Sequence, residues 1–158
     1  MGCSAIYLGG GDALGFRFHP VDVLLFLSAL SLARRAQRVR QLPVQEVVED
    51  IANRGGRGRG HPIQRVELAA VRASNRWSRW FGGIDTCLIR SMILGGLLTG
   101  GKDVILNIGF RPGDEGPSID GHAWLTVDGN PVGSDGVLAR ERYTRVLTVS
   151  FLRGPGEK

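Results

Sequence analysis

Residues 85–98 read Asp85-Thr86-Cys87-Leu88-Ile89-Arg90-Ser91-Met92-Ile93-Leu94-Gly95-Gly96-Leu97-Leu98, and the rest of the fold follows from this stretch. Asp85-Thr86 supplies a helix start, with Asp85 the expected cap, and Thr99-Gly100-Gly101 supplies the stop. Between them every residue except Arg90 and Ser91 is apolar or glycine. A helix that is apolar all round must lie buried between other layers. Downstream the period changes from helical to alternating. Residues 103–110 place Val104, Leu106, Ile108 and Phe110 on one face, which predicts a strand. Residues 111–120 form a Gly/Pro/Asp loop, and residues 121–127 a second strand. Asp128-Gly129 is a strong hairpin signal, and residues 130–135 return alongside. The tail, 143–151, alternates again with Tyr143, Arg145, Leu147, Val149 and Phe151 on one face.

Upstream, His19-Pro20 opens a helix whose apolar positions from Val21 to Leu32 fit helical spacing and which ends in a basic turn at 34–40, where cations suit the helix C-terminus. Pro43 then begins a second helix over 44–52, with Val47, Val48 and Ile51 on one side. Residues 62–80 form a third, turning Ile63, Val66, Ala69, Ala70, Ala73 and Trp77 inward and its arginines outward. Helices come first, then the buried helix feeding an antiparallel sheet, an α+β arrangement. The expected organisation is a helical lobe over 1–53, a flexible Arg-Gly connector over 54–60, and a core over 61–158. Residues 1–19, with Gly9-Gly10-Gly11, have no assigned role.

With 158 residues, of which 42% are hydrophobic and 22% charged, the chain is one globular domain with at most a small extra lobe, not a two-domain enzyme carrying its own cofactor fold. No metal or cofactor is implied. The net charge of +5 is unevenly spread: residues 34–79 hold eleven arginines against four acidic residues, and the remainder is slightly acidic. Such a block points to an acidic partner, nucleic acid or an anionic protein surface. Two cysteines, Cys3 and Cys87, in a chain that can build its own core suggest a reduced, cytoplasmic protein. The apolar run at 21–33 contains Asp22 and is too short to span a bilayer, and Met1-Gly2 lacks the Ser or Thr that myristoylation expects at Ile6.

Cys87 falls in the first turn of the buried helix, where unpaired N–H groups and the positive end of the dipole favour a thiolate. His122 opens the second strand in Gly121-His122-Ala123-Trp124, and an imidazole is what a nucleophilic cysteine needs as base and later as acid. If Asp128 and Gly129 are the two turn residues, facing positions sum to 257, so His122 faces Asp135, which would orient the imidazole. Asp128 is the rival acid, although its place in the turn already accounts for it.

Cys87-Leu88-Ile89-Arg90-Ser91, the strand end Ile108-Gly109-Phe110-Arg111, and Gly121-His122-Ala123-Trp124-Leu125-Thr126-Val127-Asp128-Gly129 resemble the transglutaminase-like cysteine peptidases of bacterial lasso peptide biosynthesis, the peptidase part of the B protein. The resemblance covers roughly residues 67–135. It implies a papain/transglutaminase-like core in which Cys87 is nucleophile, His122 base and Asp135 third member. The backbone N–H of Cys87, with Trp80 or Trp124 adding an indole donor, would form the oxyanion hole. Arg90 matches the family pattern without a derivable role. Gly95-Gly96 and the polar Asn107 depart from it, which bears on packing more than chemistry. The implied substrate is a precursor peptide of leader and core, the implied partners a separate leader-recognition protein and an ATP-dependent lasso cyclase, with no nucleic acid and no membrane. Arg34, Arg35, Arg38, Arg72 and Arg76 are the candidate docking residues for the partner or an acidic leader. A non-catalytic binding module, an Arg-Gly nucleic-acid binder, and a same-fold peptidase or transglutaminase with another substrate stay open.

Overall fold

A computed structural model describes residues 20–83, 85–113, 118–133 and 136–151. The apolar helix expected at 87–98 is α4 (Cys87–Leu98), and Ile89, Met92, Ile93, Leu94, Leu97 and Leu98 are all buried in it. On one side lie α1 (Pro20–Ala36), extended by a 3-10 turn over Gln37–Arg40, α2 (Val44–Arg54) and α3 (Ile63–Phe81). On the other lies an antiparallel sheet of β1 (Val104–Pro112), β2 (Ile119–Val127), β3 (Asn130–Val132) and β4 (Thr144–Ser150), in the order β3-β2-β1-β4. A short α5 (Gly136–Arg142) joins β3 to β4. This is the expected α+β arrangement, and one buried cluster runs unbroken from Leu25 through α2, α3 and α4 to Val149 and Phe151. Burying each large aliphatic side chain of α4 contributes roughly 1.5–3 kcal/mol relative to exposure.

The Arg-Gly stretch at 54–60, expected to be a solvated connector, exposes its arginines but is fastened by its glycines to the end of α4. Gly56 N–H donates to Gly96 O and Gly58 N–H to Leu97 O, each at 2.8 Å. These carbonyls belong to the last turn of α4, which no intrahelical donor can satisfy. The approach demands glycine: a Cβ on Gly55 would overlap Gly96 O. The Gly95-Gly96 pair is explained in the same way, because a methyl at Gly95 would strike the Phe151 ring and one at Gly96 would strike Ile51 Cγ2. The glycines are where the two layers approach α4 too closely for a side chain.

The sheet shows three differences from the expected pattern. β1 and β2 run on to Pro112 and Ile119, so the loop expected over 111–120 is shorter, with Arg111 opposite Asp120. Among the described residues the return strand, expected over 130–135, ends at Val132, followed by Gly133 at φ 90°. In β4 a bulge intervenes, because Ile108 pairs with Leu147 but Gly109 with Arg145. One extra residue reverses the alternation, so Arg145 leaves the face of Leu147 and Val149 and joins the other. That other face carries Asn107, opposite Trp124, and Gly109, opposite His122. Asn107 is buried there, with its amide 3.4 Å from both Ile105 O and Thr126 Oγ1.

Candidate active site

Cys87 is the first residue of α4 and is half-buried. The residue that caps the helix is Thr86, not Asp85: Thr86 has extended backbone (φ −126°, ψ 165°) and its side chain accepts from Ile89 N–H at 3.4 Å. Cys87 therefore directly follows the cap, among the N–H groups and positive dipole end that favour a thiolate.

Asp85 instead anchors the turn to α3. It accepts Arg90 Nε at 2.7 Å and Arg90 Nη2 at 2.5 Å, together with the Ser74 hydroxyl at 2.6 Å. Arg90 Nη2 also donates to Asn75 Oδ1 at 3.2 Å. This gives Arg90 the role that sequence could not supply: a two-pronged guanidinium clamp on Asp85, which with the bonds to Asn75 and from Ser74 straps the nucleophile's helix to the helix before it. Burial pushes the Asp85 carboxyl up. The Arg90 and Ser74 hydrogen bonds and the guanidinium charge together outweigh it, and the net position is below the ordinary carboxylate value.

One turn beyond Cys87, the Ser91 hydroxyl donates to Ala123 O at 3.1 Å, tying α4 to β2 beside His122. At its other end α4 meets the far end of the sheet, where Thr99 Oγ1 donates to Phe151 O at 2.8 Å and Phe151 N–H to Val104 O at 2.9 Å. Val104 pairs with Val127, so α4 and β2 run in the same sense. From Ser91 back to Cys87 is about 6 Å of helix, and from Ala123 back to Gly121 about 6.6 Å of strand. The cysteine's turn thus comes level with Gly121 and His122.

Around His122 the structure holds a network that sequence reasoning missed. The Tyr143 ring stacks on the imidazole, with centroids 5.2 Å apart and planes inclined by 27°, and the Trp124 ring lies near-parallel at 6.4 Å. Tyr143 Oη donates to Asp120 Oδ2 at 2.7 Å, Arg111 Nε donates to the same oxygen at 2.9 Å, and the Arg111 guanidinium lies 5.3 Å from the Tyr143 ring centroid. The hydrogen bonds from Tyr143 and Arg111 hold Asp120 below its ordinary value, assisted by the charges of Arg111 and His122. Burial and the bond to Asp120 raise Tyr143 above its own. Two-residue spacing puts Asp120 on His122's face and was readable from sequence. Tyr143, arriving from another part of the chain, carried no local signal.

Asp135 lies outside the described residues. The sum of 257 holds for Val127 and Asn130, Thr126 and Pro131, and Leu125 and Val132, where the pairing among the described residues ends. Trp80 sits at the end of α3, 57% exposed, with the Arg76 guanidinium 4.8 Å from its ring centroid. Trp124 is buried. Of the candidate docking residues, Arg35 and Arg38 bind Asp50 at 3.0 and 3.2 Å, as does Arg54 at 3.4 Å, so they fasten α1 and its turn to α2. Arg34 and Arg72 are exposed. Among the described residues no three His, Cys, Asp or Glu side chains group as a metal site would require, and no helix is long and apolar enough to cross a membrane.

A cysteine behind a helix cap, on a helix joined to α3 through Arg90 and to the histidine-bearing strand through Ser91, is an arrangement suited to acyl transfer. No curated protein and no solved structure matches the chain. Residues 23–148, most of its length and including both sides of the Arg-Gly stretch, match the Transglutaminase-like superfamily, and the chain belongs to that superfamily.

Proposed function

We propose that this protein is a cysteine peptidase that removes the leader from a ribosomally made lasso precursor peptide. The observation that supports the catalytic part is the Ser91 to Ala123 bond, which ties the cysteine's helix, one turn past Cys87, to the strand residue next to His122. The Cys87 thiolate attacks the peptide carbonyl, forming the C–S bond, while N–H groups at the start of α4, including that of Cys87, receive the oxyanion. His122 takes the thiol proton and gives it to the departing amine, so the C–N bond breaks with both products neutralised. Water, deprotonated by the same imidazole, then attacks the thioester and regenerates the thiol. Asp135 is the proposed third member, orienting the imidazole.

The motifs that resemble the lasso B peptidases support the choice of substrate. A leader-recognition protein would deliver the precursor, and a separate ATP-dependent cyclase would close the ring. Arg34, Arg72 and Arg76 are the residues proposed to meet that partner or an acidic leader. The test is leader release from precursor plus recognition protein, read by mass spectrometry. Cys87→Ala and His122→Ala should abolish release, and undiminished cleavage by Cys87→Ala would overturn the reading. Trapping of an amine in place of water would redirect it to a transglutaminase.

A further inference from the structure

We propose that Tyr143, held by Asp120 and Arg111, is a positioning residue for His122, and that these three side chains form a charged platform beneath the imidazole. The inference deepens the peptidase reading and rests on it for its kinetic consequence only.

The platform is assembled from distant parts of the chain. Arg111 comes from β1, Asp120 and His122 from β2, and Tyr143 from the junction of α5 and β4. Opposite His122, β1 places Gly109, which has no side chain to hold the ring, and of the two rings stacked near the imidazole Tyr143 at 5.2 Å lies closer than Trp124 at 6.4 Å. A stacked aromatic fixes the plane of an imidazole while leaving its nitrogens, which lie on the ring edge, available to a thiol and an acid. Tyr143 is itself fixed because its hydroxyl shares Asp120 Oδ2 with Arg111. Its π-face also favours an imidazolium over a neutral ring.

The charges work in opposite directions. Asp120 attracts a proton to His122, as the reciprocal effect of the His122 charge on Asp120 requires, and Arg111 opposes it. On the same face the register places Arg145 of β4, paired with Gly109; Cys87 and Asp135 face the imidazole in their proposed roles. Removing Asp120 therefore leaves Arg111 uncompensated, and removing Arg111 leaves Asp120 uncompensated. Opposite signs report that both charges act on the imidazole, and the dependence of kcat on the Tyr143 ring reports the positioning.

The test is NMR titration of the His122 ring, assigned among the three histidines by His122→Gln, together with kcat and KM for leader cleavage. Asp120→Asn should lower the His122 titration midpoint and Arg111→Gln should raise it, each by about half a pH unit. Tyr143→Phe keeps the ring and should retain most of kcat, whereas Tyr143→Leu should lower kcat on the order of tenfold with KM little changed. Shifts of the same sign in Asp120→Asn and Arg111→Gln, or none, would overturn the platform, as would a Tyr143→Phe defect equal to that of Tyr143→Leu. The titration needs no turnover, so it decides the platform even if Cys87→Ala refutes the peptidase.

Discussion

Replacing Arg90 with alanine separates the strap on the nucleophile's helix from the hydrophobic burial around it. The Asp85 and Arg90 side chains are 17% and 37% exposed, so the pair lies between two regimes. Breaking a fully buried pair costs about 3–5 kcal/mol, and an exposed pair is worth about 0.2–1 kcal/mol. With the guanidinium partly screened by water, Arg90→Ala should cost about 2 kcal/mol. The loss should depend on pH, with a definite sign. In the native protein Asp85 titrates below its ordinary value of 3.8, so its stabilising contribution is present above that value and disappears as the pH falls through the lower folded one. In Arg90→Ala, burial opposes ionisation with only Ser74 to offset it, the carboxyl titrates higher, and protonation relieves the strain. The stability gap should therefore be widest near about pH 7 and narrow toward about pH 3.5. Urea unfolding followed by fluorescence of the three tryptophans measures it, and a double-mutant cycle with Asp85→Asn isolates the pair. A gap unchanged between the two pH values, or strictly additive single mutants, would refute the assignment of Arg90 as the strap. Arg90→Lys should recover only part of the loss, since an ammonium cannot reproduce the two-pronged geometry.

Three further substitutions probe the frame. Gly96→Ala gains about 1 kcal/mol of helix propensity but drives a methyl into Ile51 Cγ2 and to 3.0 Å from Leu32 Cδ1; with overpacking costing about 1–3 kcal/mol, melting should fall by a few degrees, and an unchanged Tm would show slack in the seam. Thr99→Val removes the buried hydroxyl that serves Phe151 O and should cost about 1–2 kcal/mol in urea unfolding, with Thr99→Ser nearly neutral. Asp50→Asn should cost less than about 1 kcal/mol, diminishing in high salt. Burial pushes Asp50 up, but the Arg35 and Arg54 interactions outweigh it and hold it low. Its contribution should accordingly vanish as the pH falls below the ordinary carboxylate value.

Where the determinants were local, the sequence could be read closely. α4 begins at Cys87 and ends at Leu98 as its composition requires, and the Asp128-Gly129 turn, with φ 51° and 78°, sets a register that counting alone predicted over three pairs. The failures have physical causes. The cap moved from Asp85 to Thr86 because a better partner for the carboxylate, Arg90, is visible only once α4 has wound and α3 lies beside it. Alternation misassigned Arg145 because a single bulged residue reverses every face beyond it. The Arg-Gly stretch looked like a connector because glycine signals flexibility when nothing is near and close packing when something is. α5 was missed because seven residues with two of them, Gly136 and Ala139, buried carry almost no periodic signal. At the site, Cys87 and His122 were legible from motif and position, whereas Tyr143 and Arg111 reach the imidazole through tertiary structure alone.

The distribution of polar contacts along α4 has a mechanical consequence. Hydrophobic burial is non-directional and roughly proportional to area, so a helix apolar on every side is held strongly but has little to fix its rotation or axial position. Sliding or turning by a fraction of a residue would exchange one apolar contact for another. Directional bonds remove that freedom, and in α4 they lie at the ends. Gly56 and Gly58 hold the C-terminal carbonyls, while Arg90 reaches Asn75 of α3 and Ser91 reaches β2. Arg90 and Ser91 both follow the nucleophile within about one turn and pull toward different layers, which fixes rotation as well as height. Acyl transfer is sensitive to displacements of the order of 1 Å. The two polar residues that interrupt the apolar run thus stand where positional error would cost most, and the core supplies stability while they supply placement.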